Sequence, residues 1–193
     1  GKVGEPVDIM KGELFDCPQM PFGGGEDFTW DPSGAKIIYV SKKKHGKEYA
    51  ISTNTDIYSY DIATGKTTNL SEGKMGYDVA PAFDEKGGQL LWLSMARDGF
   101  EADKNDIMLH QVASGQTTNL TQGWDGTVSA ARFSADGKKI FFLAVVKGTE
   151  QLFEIPLGKP AVRQVTKGQF DINGFVGQHG NTLVVTRADM NHA

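Results

Sequence analysis

Cysteine is almost missing from this 193-residue chain: Cys17 is the one cysteine, so no internal disulfide can form. The chain also lacks any apolar run of the roughly 18 residues that a membrane-spanning helix needs. Charge of one sign is not in excess, because 20 Lys and Arg against 24 Asp and Glu give a net charge of −4. This balance gives no electrostatic case for binding nucleic acid. With 39% hydrophobic and 10% aromatic residues, the composition is that of a globular protein.

Several motifs of catalysis and metal binding are missing as well. No Gly-x-Ser-x-Gly sequence occurs, which is the strand-to-helix turn that carries the nucleophile of α/β-hydrolases. The histidines are widely spaced, with no His-x-x-x-His or Cys-x-x-Cys pair. The acidic loop at 98–106 departs from the spacing of calcium-binding loops. The sequence therefore predicts no catalytic residue, no metal site and no cofactor in this chain.

Glycine, by contrast, is abundant at 24 residues, and it belongs to an internal repeat. Thr67-Thr68-Asn69-Leu70 returns unchanged about 50 residues later as Thr117-Thr118-Asn119-Leu120. Asp56-Ile57 returns as Asp106-Ile107 at the same spacing, and a weaker third copy ends at Val165-Thr166. Repeats of this length indicate a protein built from similar structural units.

Each unit reads as four short strands. A turn sequence with Gly or Pro, which favour tight hairpins, precedes an apolar run too short for a helix and suited to a buried strand. The turns lie at 31–34, 84–88 and 134–137, and the apolar runs at 37–40, 90–93 and 140–146. Four-stranded units of this length are typical of β-propeller blades, and a solenoid of stacked hairpins is the structural alternative.

We therefore predict an all-β fold, a partial β-propeller with three four-stranded antiparallel blades and an incomplete fourth. The blades are expected at about residues 28–71, 80–121, 129–166 and 172–193. Trp30, Phe83 and Phe133 are predicted to occupy equivalent, largely buried positions on the first strand of each blade.

Residues 1–27 are predicted to form an irregular lead, because Pro and three consecutive glycines interrupt them. Leu14, Phe15 and Phe22 are expected to dock this lead on the first blade. Since the chain starts at Gly1 and stops just past an apolar run, we expect it to be a piece of a larger protein.

The repeat resembles the propellers of the prolyl oligopeptidase family of serine peptidases. The shared pattern is aromatic-x-x-Asp-Gly, an apolar strand, Asp-Ile-Tyr, and then Thr-Gly-x-x-x-x-Leu-Ser/Thr. Longer strings look like the propeller of exported bacterial dipeptidyl peptidases of the fifth type. They are the sequences at 26–30, 50–58, 72–78 and 92–101.

This resemblance implies a peptide substrate, a periplasmic or exported location, and a Ser-His-Asp triad on a C-terminal α/β-hydrolase domain of the parent protein. The chain itself would gate and orient peptides for that domain. Two alternatives stay open. TolB-like propellers share the generic repeat, which favours a binding or scaffold propeller without catalytic role. A self-sufficient propeller enzyme would need convergent histidines or paired carboxylates.

One face of the predicted propeller carries insertions. The loops at 41–56 and 94–106 are longer than the third, at 147–149, and all leave on the face that carries the linkers between blades. Insertions on one face often mark the binding face of a repeat array. The candidate site residues on that face are Asp78, Arg97, Glu101, Asp103, Asp125 and Asp171.

Carboxylates on this face are natural partners for the free α-amine of a peptide. The alternative for Asp78, Asp125 and Asp171 is that they bond neighbouring backbone N–H groups and tie the blades together. For Arg97 and Glu101, the alternatives are domain docking and plain solvation.

A partial ring also leaves apolar end faces and strand edges without neighbours. We therefore expect self-association, through the end faces or through the last strands at 172–187. Residues 1–27 offer a competing solution if they fold over one end.

Overall fold

The computed structural model describes residues 4–21 and 23–192, so the expected docking of Phe22 lies outside the described residues. Three four-stranded antiparallel sheets and one two-stranded sheet account for nearly all of the regular structure. One short helix, α1 (Gly46–Ile51), lies in the first of the long loops. The prediction of an all-β fold with three four-stranded blades and an incomplete fourth is therefore confirmed.

Strands that follow one another in sequence are neighbours in every sheet. The first sheet contains β1 (Phe28–Trp30), β2 (Lys36–Ser41), β3 (Asp56–Asp61) and β4 (Thr67–Asn69). The second contains β5 (Asp78–Phe83), β6 (Gln89–Ser94), β7 (Asp106–Gln111) and β8 (Gln116–Asn119). The third contains β9 (Val128–Phe133), β10 (Lys139–Val146), β11 (Thr149–Pro156) and β12 (Arg163–Gln164), and the fourth contains β13 (Asp171–His179) and β14 (Thr182–Ala188). This meander is the topology of a propeller blade.

The first hairpin turn of each blade is built by a side chain that accepts backbone N–H groups. The carboxylate of Asp31 accepts the N–H of Lys36 at 2.6 Å, and that of Asp84 accepts the N–H of Gln89 at 2.7 Å. A glycine with positive φ closes both turns, as at Gly34 with φ 73°. The Asp and Gly of the turn sequence therefore fix where each hairpin folds back.

The core lies between the sheets, because alternate residues of each central strand face opposite neighbours. Leu90 and Trp92 of β6 pack toward the first sheet, whereas Leu91 and Leu93 pack toward the third. Fully burying side chains of this size contributes about 1.5–3 kcal/mol each. A third cluster joins β10 and β11 to the fourth sheet; its buried members are Phe141, Leu143, Leu152 and Ile172.

Trp30, Phe83 and Phe133 do end the first strand of their blades, but their burial differs. Phe133 is 7% exposed and Phe83 is half-buried, whereas Trp30 is 55% exposed, so its predicted burial is wrong. Phe83 and Phe133 pack into the interface with the preceding sheet. The first sheet is preceded by the lead, which leaves an open cavity of about 520 Å3 beside Trp30.

The lead is irregular up to a 3-10 turn at Gly25–Asp27. Phe15 contacts the first sheet's long loop, with its ring 4.8 Å from that of His45. Leu14 stays 80% exposed, so the expectation that it docks on the blade is wrong. Leu14 lies in an irregular segment, so no strand pairing directs its side chain toward the blade.

Candidate functional site

The two long loops meet at one edge of the stack, as the insertion pattern predicts. Thr55, at the end of the first loop, forms a parallel bridge with Tyr77 of the linker that enters the second sheet. Met95, at the start of the second loop, donates its N–H to the carbonyl of Tyr77 at 3.0 Å. Residues of two sheets and the linker between them are therefore held side by side.

A cavity of about 490 Å3 lies where these loops meet the lead. Its apolar lining includes Met20, Pro21, Ile51 and Met95, which come from the lead, α1 and the β6–β7 loop. Its polar lining includes Gln19, Lys42, Tyr77 and Glu101. Apolar walls with a few polar groups are the usual make-up of a small-ligand site.

Charged groups of both signs lie at this cavity. Burial raises the pKa of Tyr77, and the charges of Asp27 and Glu26 raise it further. Lys42 carries a positive charge, but its Nζ donates to the carbonyls of Tyr49 at 2.9 Å and Ser52 at 3.0 Å. Glu101 is the charged lining residue whose carboxylate can pair with a positively charged group.

Asp78 does not reach the cavity. It begins β5, is 0% exposed, and accepts a hydrogen bond from Nε1 of Trp92 at 3.2 Å. Its Oδ2 has no partner among the residues that the structure describes. Burial raises the pKa of Asp78 to about 6, and the charge of Asp56 adds to this. The residue lies between the first two blades, and its backbone N–H and carbonyl bond the Thr55 hydroxyl at 2.9 and 2.7 Å. Its carboxylate bonds the Trp92 side chain of its own sheet and not the backbone N–H groups that the blade-tying alternative expects.

Asp171 and Asp125 also lie apart from the cavity, and they do not share one structural position. Asp171 begins β13 and accepts the N–H of Glu150 at 2.7 Å, which ties the third sheet to the fourth. Asp125 is exposed in the linker, whereas the residue that begins β9 is Val128. The apparent repeat of aromatic and acidic residues therefore joins positions that are not equivalent.

Arg97 and Asp103 pair with each other inside the β6–β7 loop. Nη2 of Arg97 lies 2.7 Å from Oδ1 of Asp103, and the Arg97 N–H donates to the same carboxylate at 3.0 Å. The guanidinium also stacks 4.1 Å from the centre of the Phe100 ring. Hydrogen bonds from Arg97 lower the pKa of Asp103. The two charges neutralise each other, so neither is offered to a ligand.

Glu101 is the one residue of the six candidates that lines the cavity. Its side chain is exposed and makes no hydrogen bond with any residue in the described ranges. The structure thus brings one predicted carboxylate to the site, together with Gln19 and Tyr77, which sequence reasoning missed.

Sequence reasoning also missed the role of Asp98. Its Oδ1 accepts the Ser52 hydroxyl at 2.8 Å and the N–H groups of Thr53 at 2.7 Å and Asn54 at 3.2 Å. Burial opposes ionisation, but these hydrogen bonds outweigh it and lower the pKa of Asp98. The one feature of the sequence that points to Asp98 is its place in the acidic loop. Its partners lie in another blade, so the spacing of residues along the sequence does not predict these contacts.

The described residues contain neither a metal-binding cluster nor a membrane-spanning helix. No group of three or more His, Cys, Asp or Glu side chains within 4–21 and 23–192 is placed to hold a metal ion. In the same part of the chain, no helix has the length and apolar character to cross a membrane.

Consecutive four-stranded antiparallel meanders, packed face to face through buried apolar layers, define this chain as a segment of a β-propeller. The chain is 53% identical over 183 residues to dipeptidyl-peptidase 5 of Porphyromonas endodontalis, a match covering 95% of this chain. It is 41% identical over 175 residues to dipeptidyl-peptidase 5 of Porphyromonas gingivalis, covering 91% of this chain. In both cases the match spans 26% of the relative's length. The resemblance to dipeptidyl peptidases of the fifth type is therefore confirmed.

Solved structures support the fold. The β-propeller domain of the Trilobed protease from Pyrococcus furiosus superposes with a TM-score of 0.60 at 16% identity, covering 86% of this chain and 48% of that one. Pyrococcus horikoshii acylaminoacyl peptidase gives a TM-score of 0.59 at 21% identity, over 83% and 23% of the two chains. A TolB from Agrobacterium tumefaciens gives 0.57 at 20% identity, over 76% and 47%. No family model matches the chain.

Proposed function

We propose that this chain is a propeller segment of an exported or periplasmic serine dipeptidyl or acylaminoacyl peptidase. In this proposal it gates and orients peptides for a C-terminal α/β-hydrolase domain outside these 193 residues. The 53% identity to dipeptidyl-peptidase 5 over nearly the whole chain carries the proposal. The missing Gly-x-Ser-x-Gly sequence is consistent with it, because the nucleophile would then lie elsewhere in the parent protein.

The cavity at the loop-bearing face is the proposed contact for the peptide. Glu101 would pair with the α-amine of the substrate, since it is an exposed carboxylate residue of the cavity lining. Met20, Ile51 and Met95 would contact an apolar side chain of the same peptide. Arg97 and Asp103 would keep the loop in shape rather than touch the substrate, because they are already paired.

The test is substitution of Glu101 in the full-length protein. For a dipeptidyl chromogenic substrate with a free amine, Glu101→Gln is expected to raise KM about 10- to 100-fold, since a charged hydrogen bond is worth about 1.5–3 kcal/mol. The N-acetylated substrate, which lacks the charge, should show no such change. Asp125→Asn is the matched control, because Asp125 is exposed but does not line the cavity. Unchanged KM in Glu101→Gln would refute the proposed role of Glu101.

A second candidate function is a TolB-like binding or scaffold propeller with no catalytic role, favoured by the TolB superposition. The two differ in one measurement. A serine-directed phosphonate should label the full-length protein of a peptidase and leave a scaffold protein unlabelled.

A further inference from the structure

Two parts of the cavity wall come from different blades. Ile51 ends α1 in the loop of the first sheet, whereas Glu101 lies in the β6–β7 loop of the second. The sequence between them contains the rest of the first blade and the first hairpin of the second. Their separation is therefore set by contacts between the loops and not by chain connectivity.

Asp98 supplies the main contacts between these loops. Its Oδ1 accepts three donors from residues 52–54, at 2.7–3.2 Å. In return, the N–H of Gly99 donates to Oγ1 of Thr53 at 2.9 Å. Ser52 caps the C-terminus of α1, and its N–H donates to the carbonyl of Glu48. Asp98 thus joins the end of α1 to the start of the loop segment that carries Glu101.

We propose that Asp98 is a positioning residue for the peptide site. It holds the β6–β7 loop against the end of α1, and so fixes the place of Glu101 relative to Ile51. This inference rests on the proposed function. Asp98 does not line the cavity, and its carboxylate oxygen is used by Ser52, Thr53 and Asn54. Its effect on a substrate must therefore pass through the loops that it joins.

The test uses Asp98→Ala and Asp98→Asn in the full-length protein, with the free-amine dipeptidyl substrate. Asp98→Ala leaves the Ser52 hydroxyl and the Thr53 N–H without their acceptor, whereas the Asn54 N–H keeps its bond to Oγ of Ser52. We expect KM to rise about tenfold with kcat unchanged. Asp98→Asn keeps an oxygen that can accept these donors, so it should restore KM to within about threefold of the wild type. Asp125→Asn is the matched control, because Asp125 is an exposed carboxylate that neither lines the cavity nor bonds residues 52–54.

A double variant shows whether Asp98 acts through Glu101. If it does, Asp98→Ala combined with Glu101→Gln should have the KM of Glu101→Gln alone. If the effects of the two substitutions on KM are fully additive in the double variant, the inference is overturned. A wild-type KM in Asp98→Ala also overturns it, independently of the result for Glu101→Gln. If Asp98→Ala does not fold, Asp98→Ser takes its place, because a serine hydroxyl is too short to reach the donors of residues 52–54. A raised KM in Asp98→Ser then supports the inference, and a KM equal to that of Asp125→Asn overturns it. A raised KM in Asp98→Ala with no effect of Glu101→Gln would refute the role of Glu101 and leave Asp98 positioning the apolar wall.

Discussion

The hydroxyl of Thr121 donates a 2.8 Å hydrogen bond to the buried carboxylate of Asp106, and it accepts the N–H of Ile107 at 3.0 Å. This contact ties the end of the fourth strand of the second blade to the start of its third strand. The other blades repeat it. Ser71 bonds Asp56 at 3.3 Å and Ile57 at 3.0 Å, and Thr166 bonds Gln151 and Leu152, each at 2.9 Å. The repeated Leu-Ser/Thr of the sequence therefore has a structural cause.

We predict that Thr121→Ala lowers the free energy of unfolding by about 1–3 kcal/mol, because it leaves the buried N–H of Ile107 without its partner and removes one hydrogen bond from Asp106. The Asp106 carboxylate keeps its contacts with Asn119 and Lys104. Thr121→Ser should recover most of the loss, since the first blade uses Ser71 at this position. Urea unfolding measures both. Thr118→Ala, at an exposed position of β8, is the control, and an equal loss there would contradict the explanation.

The sequence predicts the blades well because their determinants are local. Each blade has its own turn residues and its own Ser or Thr after the fourth strand, and these residues contact partners in the same blade. They therefore recur along the sequence once per blade. The burial of Trp30 depends instead on what packs beside the first sheet, and nothing in its own repeat unit records that. The α1 helix lies in an insertion that the other blades lack, so no repeat predicts it.

The candidate site was predicted less completely because its contacts join distant parts of the chain. The loop-bearing face was chosen from the unequal loop lengths, and Glu101 lies at the cavity between those loops. Asp78 was placed there because it follows Tyr77 in a linker, yet the strand begins at that residue and turns the carboxylate inward to Trp92. Asp98 depends on partners in another blade, which spacing does not reveal.

A second prediction concerns Gly76, in the linker between the first two blades. A Cβ at this position would overlap the backbone carbonyl of Met95. Gly76→Ala should therefore destabilise the chain by about 1–3 kcal/mol, because backbone and not a flexible side chain must move. Gly123→Ala is the control in the next linker, where a Cβ meets nothing within 4 Å. Equal thermal midpoints for the two variants would contradict this account.

A third prediction concerns association of the 193-residue chain on its own. Trp30 is 55% exposed beside the first sheet, and Val176 and Val184 are 62% and 50% exposed on the last sheet. Exposed apolar faces and strand edges favour pairing with another copy. We expect concentration-dependent dimers or larger species in sedimentation at micromolar concentration.

Substitution can locate the associating face. Val184→Lys should weaken association, whereas Val112→Lys, at the turn after β7, should not, although Val112 is also exposed. A chain that is monomeric, and that stays monomeric after removal of residues 1–27, would contradict the prediction. The outer faces of the first and last sheets would then be stable in water without a second copy.

The last prediction follows from Asp78, whose carboxyl lies buried at the interface of the first two blades. Burial raises its pKa to about 6, and the charge of Asp56 adds to this, while the hydrogen bond from Trp92 opposes it. A folded-state pKa above the ordinary value of 3.8 means that the native state binds the proton more tightly than the unfolded state. Ionisation of Asp78 therefore lowers stability as pH rises from about 4 through about 6.

Asp78→Asn removes this titration while keeping an oxygen for the Trp92 N–H. We expect the variant to gain on the wild type by about 2 kcal/mol between about pH 4.5 and about pH 7.5, since each unit of pKa shift is worth about 1.4 kcal/mol and part of the effect is already present at about pH 4.5. Asp78→Val should show the same trend, because the residue that begins β9 in the next blade is the buried Val128. Asp125→Asn, at an exposed linker position, is the control and should show no such dependence. A stability difference between Asp78→Asn and the wild type that stays constant across this range, measured by urea unfolding, would show that Asp78 does not titrate there and that its burial is compensated within the blade interface.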